Sequence, residues 1–143
     1  MIEEPAPDVT AAMEANDVAS REAGVRVLSV GDGSATTALT VESRHLNGHG
    51  ICHGGYVFLL ADTAFAYACN SHGIPAVAAG ADIAFLRPVS AGTELVAYAV
   101  ERALTGRSGL YDVTVRAGTE PDAPVVAEFR GRSRQVPGLA GPR

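Results

Sequence analysis

The chain contains no lysine and no tryptophan, only two cysteines, and no charge-free apolar run approaching membrane-spanning length. Each shortage excludes something. Without lysine, all eleven positive charges are arginine, and against sixteen acids they leave a formal charge of −5. The acids crowd the N-terminus (Glu3, Glu4, Asp8, Glu14, Asp17, Glu22), while Arg130, Arg132, Arg134 and Arg143 gather near the other end. Neither group makes the basic stripe of a nucleic-acid-binding surface, so no nucleic-acid partner is expected. Cys52 and Cys69 flank a stretch of helical character. A helix between them would hold their Cα atoms roughly 25 Å apart at about 1.5 Å rise per residue, beyond the reach of a disulfide. The opening Met-Ile-Glu-Glu-Pro lacks a positive region and an apolar signal core. A cytoplasmic protein with no membrane partner is the resulting expectation.

What is present suffices for one folded unit. The 143 residues are 47% apolar with a mean hydropathy of +0.13, enough for a single core. No repeat, linker or change of composition divides them, so residues 1–143 are expected to form one domain, loose at 1–8 and 136–143. Val9, Ala12, Met13 and Val18 suggest a short helix over residues 9–20, capped by Asp8. β character follows over 24–30 and 34–41 about a Gly31-Asp32-Gly33 turn. Further strands are expected over 77–86, 94–104, 110–117 and 125–135, bounded by Arg87-Pro88, Thr105 to Gly109 and Pro121 to Pro124.

Between the two β regions lies "NGHGICHGGYVFLLADTAFAYACNSHG", residues 47–73. From Gly54 to Ser71 it reads as one long helix, with Gly73 placed for its end. That helix is apolar on nearly every side, so a single antiparallel sheet of five to six strands covers it only by curling around it. A second copy of the chain is the expected cover for the remainder.

Asp62 interrupts this helix, and its helical neighbours Phe58, Leu59, Phe65 and Ala66 give it no polar stripe to join. A carboxylate in such surroundings has its charged form disfavoured, as acids at functional sites often do. At the helix start, His53-Gly54-Gly55 offers backbone N–H groups without internal partners, at the positive end of the helix dipole. Glycine there lets a polarised carbonyl approach, the geometry of an oxyanion-type donor. Gly54 and Asp62 are eight residues apart, roughly 12 Å along one axis. They can act on one carbonyl only if two helices lie antiparallel, the start of one beside the middle of the other, as a two-fold dimer allows. His45, His49 and His53 recur every four residues, but glycines break the run and no acid completes a ligand set, so no metal is expected. Neither cysteine sits in a nucleophile signature.

The combination of Asn47, His53-Gly54-Gly55 and Ala61-Asp62-Thr63-Ala64-Phe65, followed by Phe85-Leu86-Arg87-Pro88, resembles the hotdog-fold acyl-CoA thioesterases of the phenylacetate-pathway (PaaI) type. The match is close over residues 47–88 and compatible in element order from about residue 9 to 134. The resemblance implies an α+β hotdog fold, sheets joined edge to edge in a dimer, and commonly a tetramer. It also implies hydrolysis of an acyl-CoA thioester of aryl or medium size, with coenzyme A as part of substrate and product and no separate cofactor. By the same resemblance, Asp62 acts as general base or as nucleophile through a mixed anhydride, and the Gly54 N–H polarises the carbonyl. Asn47 and His53 order the site. Gly55, Tyr56, Phe58, Phe65, Phe85 and Arg87 are candidates for substrate contact, and Arg87, Arg102, Arg107 and Arg132 for the phosphates of coenzyme A. One departure stands out: some relatives carry a Ser or Thr on the strand after the helix to hold the attacking water, where this chain reads Ala78-Ala79-Gly80-Ala81. The rival readings are a binding module that holds acyl-CoA without turnover and a hotdog hydratase or dehydratase.

Overall fold

The computed structural model describes residues 8–139. Its centre is α3 (Gly54–Asn70), wrapped by one six-stranded sheet. In chain order the strands are β1 (Arg26–Gly31), β2 (Ser34–Thr40), β3 (Ala76–Phe85), β4 (Glu94–Thr105), β5 (Ser108–Ala117) and β6 (Val125–Gln135). Across the sheet they run β1-β2-β4-β5-β6-β3, every neighbouring pair antiparallel. This is the hotdog architecture expected from the sequence, with boundaries shifted by one or two residues. Register shifts in β1, β3, β4 and β6 bend the strands, and such bulges are how a sheet curls around a cylinder.

The helix interior explains the fit. Ala61, Ala64 and Ala68 are fully buried against the sheet beside Leu60, Phe65 and Tyr67, so the strands approach the backbone closely. Leu39, Leu95, Tyr111, Val113, Val115 and Phe129 fill the sheet's inner face. Burial of each large side chain is worth about 1.5–3 kcal/mol, far more than helix propensity supplies. The far end of α3 is pinned by polar contacts. Gly33 donates its N–H to Ser71 Oγ, His72 bridges Asp32 and Glu101, and Tyr111 donates to Glu101.

Two expectations need correction. The single helix over 9–20 is two helices, α1 (Val9–Asn16) and α2 (Val18–Ala23). Asp17 breaks the run because its side chain accepts from Ser20 N–H, capping a second helix. The expected loose tail is tied down at its start: Val136 donates to Pro75, and Leu139 donates to Val136. Asp8 caps α1 as expected, accepting from Ala11 N–H; residues 1–7 and 140–143 lie outside the described residues.

The sheet leaves one side of α3 uncovered. Gly55, Phe58, Leu59, Asp62 and Ala66 are half-buried or exposed while Val57, Leu60, Ala61, Thr63, Ala64 and Phe65 are buried, a stripe at the i, i+3/i+4 spacing of one helix face. Beside it runs β3, whose only strand partner among the described residues is β6. Val77, Phe85 and the adjoining Leu86 stand 42%, 54% and 56% exposed on this edge.

Candidate active site

Two cavities open along the uncovered side, and each holds half of the expected chemistry. The first, about 470 Å³, is lined by Asp62, Phe65, Ala66 and Cys69 of α3 and by the first residues of β3, Ala76 to Ala78. The second, about 410 Å³, is lined by Asn47, Ile51, Cys52 and Gly54 and by Phe85, Leu86 and Arg87 at the other end of β3. Asp62 and Gly54 of one chain therefore do not share a cavity. The helical spacing that separates them in sequence separates them in space.

The Gly54 cavity is built by a closed set of hydrogen bonds. Asn47 Oδ1 accepts from the N–H of His49 (2.9 Å) and of Ile51 (3.3 Å), so the amide oxygen is the group turned into the loop. The NH₂ of Asn47 has no acceptor among the described residues. His53 is the N-cap of α3: its Nδ1 accepts from Gly55 N–H at 2.8 Å and its carbonyl from Tyr56 N–H. An Nδ1 that accepts leaves the proton on Nε2. With Gly55 and Tyr56 satisfied, Gly54 N–H has no acceptor among the described residues, at the positive end of a 17-residue helix. Phe85 stands over it, so close that a Cβ on Gly54 would meet the ring at 3.1 Å.

The Asp62 cavity is apolar apart from Asp62, Asn16, Asp17 and Asn70. Asp62 accepts no hydrogen bond from a described residue. Burial raises its pKa above the ordinary value, and the negative charge of Asp17 adds to the shift. Cys69, also in this wall, is pushed up to about 12 by burial and stays a neutral thiol; burial raises Cys52 as well. Both cysteines are free. Ala78 contributes a methyl to the wall.

The remaining candidates distribute as follows. Phe65 is 1% exposed, packed against Tyr111 and Phe129, and shows only an edge to the cavity. Phe58 lies on the open stripe with its ring 5.3 Å from Phe129. Tyr56 packs edge-on against His45 at 4.7 Å and lines neither cavity. Of the four arginines, Arg87 lines the Gly54 cavity, whereas Arg102 is held by Asp112 at 2.8 Å and Arg132 lies across Gly80; Arg107 is exposed in the β4–β5 turn. The histidine run makes no metal site: His45 is buried with Nδ1 accepting from Glu42 N–H and Nε2 bonded to Ala23 carbonyl. Among the described residues no cluster of metal-ligating side chains occurs.

Sequence reasoning missed the wall opposite Asp62. Val9, Ala12, Met13, Asn16 and Asp17, from α1 and its junction with α2, together with Leu139, close that side. The i, i+3, i+4, i+7 spacing of Val9, Ala12, Met13 and Asn16 was the available signal. Asn70 was missed too; it ties the helix end to β3 by donating to Ala76 carbonyl and accepting from Ala76 N–H.

The model of the thioesterase superfamily matches residues 49–123, spanning the Gly54 loop, α3 and the strands through β5. The chain belongs to that superfamily. It is 44% identical over 127 residues, 89% of each chain, to the acyl-coenzyme A thioesterase PaaI of Escherichia coli. The solved structure of the E. coli PaaI protein superposes with a TM-score of 0.84 at 42% identity, covering 92% of this chain and 91% of that one. A Streptococcus mutans protein solved with acetyl CoA superposes at 0.71 with 25% identity, over 83% of this chain and 90% of that one. Thioesterase-superfamily membership agrees with the resemblance read from the sequence.

Proposed function

We propose that this thioesterase hydrolyses acyl-CoA thioesters at two identical sites, each made from the Asp62 cavity of one protomer and the Gly54 cavity of its partner. One observation carries the reading: the two half-sites lie at opposite ends of the same open edge strand. A two-fold axis crossing β3 near its middle sets Ala76 to Ala78 of one copy beside Phe85 of the other, exchanging the ends. The same operation pairs the unpaired β3 backbone and covers the apolar stripe of α3, and long open edges of this kind are normally covered. A tetramer of two such dimers is the larger assembly the family resemblance implies.

In this site the thioester carbonyl accepts from Gly54 N–H, with the Asn47 NH₂ as a second donor in the same cavity. A water beside Asp62 gives its proton to the carboxylate and attacks the carbonyl carbon. The tetrahedral oxyanion is held by the same N–H, and it collapses by expelling the coenzyme A thiolate, which takes up a proton. The raised proton affinity of Asp62 favours the general-base role, since a base works best when its pKa approaches the working pH. With Ala78 in place of a hydroxyl, water is oriented by Asp62 itself. Apolar walls around Asp62 suit an apolar acyl group of aryl or medium size, while Arg87 at the other cavity suits the phosphates of coenzyme A. Two free thiols fit a cytoplasmic setting, and no helix among the described residues is long and apolar enough to cross a membrane.

The test is free-thiol release from phenylacetyl-, hydroxybenzoyl-, short-chain and long-chain CoA thioesters. Turnover on at least one, abolished in Asp62→Ala, is expected. Binding without product would favour the acyl-CoA-holding module, and hydration of crotonyl-CoA in place of hydrolysis would favour the hydratase.

A further inference from the structure

The wall opposite Asp62 carries a second carboxylate. Asp17 sits at the junction of α1 and α2 and faces the same cavity. Its position is fixed: the side chain accepts from Ser20 N–H at 3.1 Å, and Ser20 Oγ is hydrogen-bonded to Thr63 Oγ1 at 3.0 Å. Thr63 directly follows Asp62, so a short chain of bonds clamps the Asp17 elbow onto the turn of α3 that bears the catalytic acid.

We propose that Asp17 is a positioning residue for the reaction, whose charge, held across the cavity by the Ser20–Thr63 clamp, sets the pH at which Asp62 becomes the base. The inference rests on Asp62 being that base. A negative charge at Asp17, across one apolar cavity, disfavours ionisation of Asp62 and makes it hold its proton more tightly. No cation offsets the pair among the described residues lining the cavity. From α1 come neutral Asn16 and apolar side chains, from α3 the neutral thiol of Cys69 and neutral Asn70, and from β3 and its approach only Pro75 to Ala78. Arg21 of α2 is turned onto the carbonyls of Glu14 and Ala15. Burial is the larger cause of the raised Asp62 pKa and the Asp17 charge the second. In the assembled pair the second copy adds the charged and titratable groups of its own Gly54 cavity, Cys52 and Arg87, equally in wild type and variants.

The experiment is the pH profile of kcat/KM on the best thioester of the panel for wild type, Asp17→Asn, Asp17→Glu and Asp62→Asn. Asparagine caps a helix as well as aspartate does, so D17N removes charge while keeping the cap. Its acid limb is expected to move to lower pH, raising the ratio of activity at pH 5 to that at pH 8 above the wild-type ratio, while D17E returns the limb toward wild type. A limb unmoved or moved upward in D17N overturns the proposal, as does a D17E profile displaced like that of D17N. If D17N does not fold, Asp17→Ser, which also caps and carries no charge, is read the same way. An Asp62→Asn enzyme with wild-type rates would instead remove the base on which the inference rests, a different failure from an unmoved limb.

Discussion

Replacing Gly54 by proline isolates one hydrogen atom. Gly54 is the first residue of α3, where a proline is tolerated because that N–H has no partner inside the helix. The preceding residue already has the geometry proline demands: His53 lies at φ −61°, ψ 133°, in the extended region required before a proline. The steric cost is legible as well. A new Cβ meets Phe85 Cζ at 3.1 Å, Cε1 at 3.3 Å and Cε2 at 3.5 Å, so the ring must give by a few tenths of an ångström. Proline also narrows the unfolded ensemble, a gain of about 0.4–1 kcal/mol that offsets the displaced ring. Melting temperature should therefore stay within about 4 °C of wild type. Activity should not. Gly54→Ala brings the same Cβ but keeps the N–H, so the ratio of the two variants reads the exchange of that N–H for the proline Cδ. Loss of one oxyanion donor costs roughly 100- to 1,000-fold in kcat, about 2.7–4 kcal/mol, and G54P should fall below G54A by that factor in steady-state thiol release. Equal activity of the two variants, both folded, would refute the assignment of Gly54 N–H as the carbonyl donor.

Two further outcomes follow from the charged groups. Asp62 has its folded pKa raised by burial and by Asp17, so its ionisation opposes folding: the stabilising contribution is full below the unfolded pKa and lost as pH rises through the folded value. Asp62→Asn should therefore abolish turnover yet stabilise the fold at pH 8 by on the order of 1 kcal/mol, read as a higher melting temperature, with the gain disappearing in thermal melts toward pH 4. Arg87→Gln should raise KM for CoA thioesters several-fold with kcat little changed, and added salt should shrink the difference between variant and wild type, as expected for a screened phosphate contact; an unchanged KM at low salt would remove Arg87 from the coenzyme A path.

Much of this was legible in the chain because its signals are local. The long helix announces itself by a proline-free and largely apolar run between Gly54 and Asn70, and the strands by alternation between turn residues. The conflict of an acid inside that run pointed to Asp62 before any coordinates did, and helical rise alone separated Asp62 from Gly54. What stayed hidden depends on tertiary placement. Asp17 looks like one more acid in an acidic N-terminal segment until α1 folds over α3 and brings it to the Asp62 cavity. Leu139 looks like part of a frayed tail until Val136 pairs with Pro75. Tyr56 and Phe65, chosen for their position in the motif, turn largely into packing against His45 and against Tyr111 and Phe129, because helix rotation decides which ring faces a cavity. Likewise nothing in sequence spacing distinguishes Arg102, already paired with Asp112, from Arg87, which pairs with no acid among the described residues.

The central claim is that a site is shared between two chains, and subunit mixing tests it directly. Differently tagged Asp62→Ala and Gly54→Pro protomers, each inactive alone, are co-refolded in equal amounts. Random reassortment makes about half of the dimers mixed, each with one site that has both Asp62 and Gly54 intact, so recovery of about one quarter of wild-type activity is predicted. Activity no greater than that of the two parents, with mixed dimers demonstrated by sequential capture on both tags, would contradict the shared site.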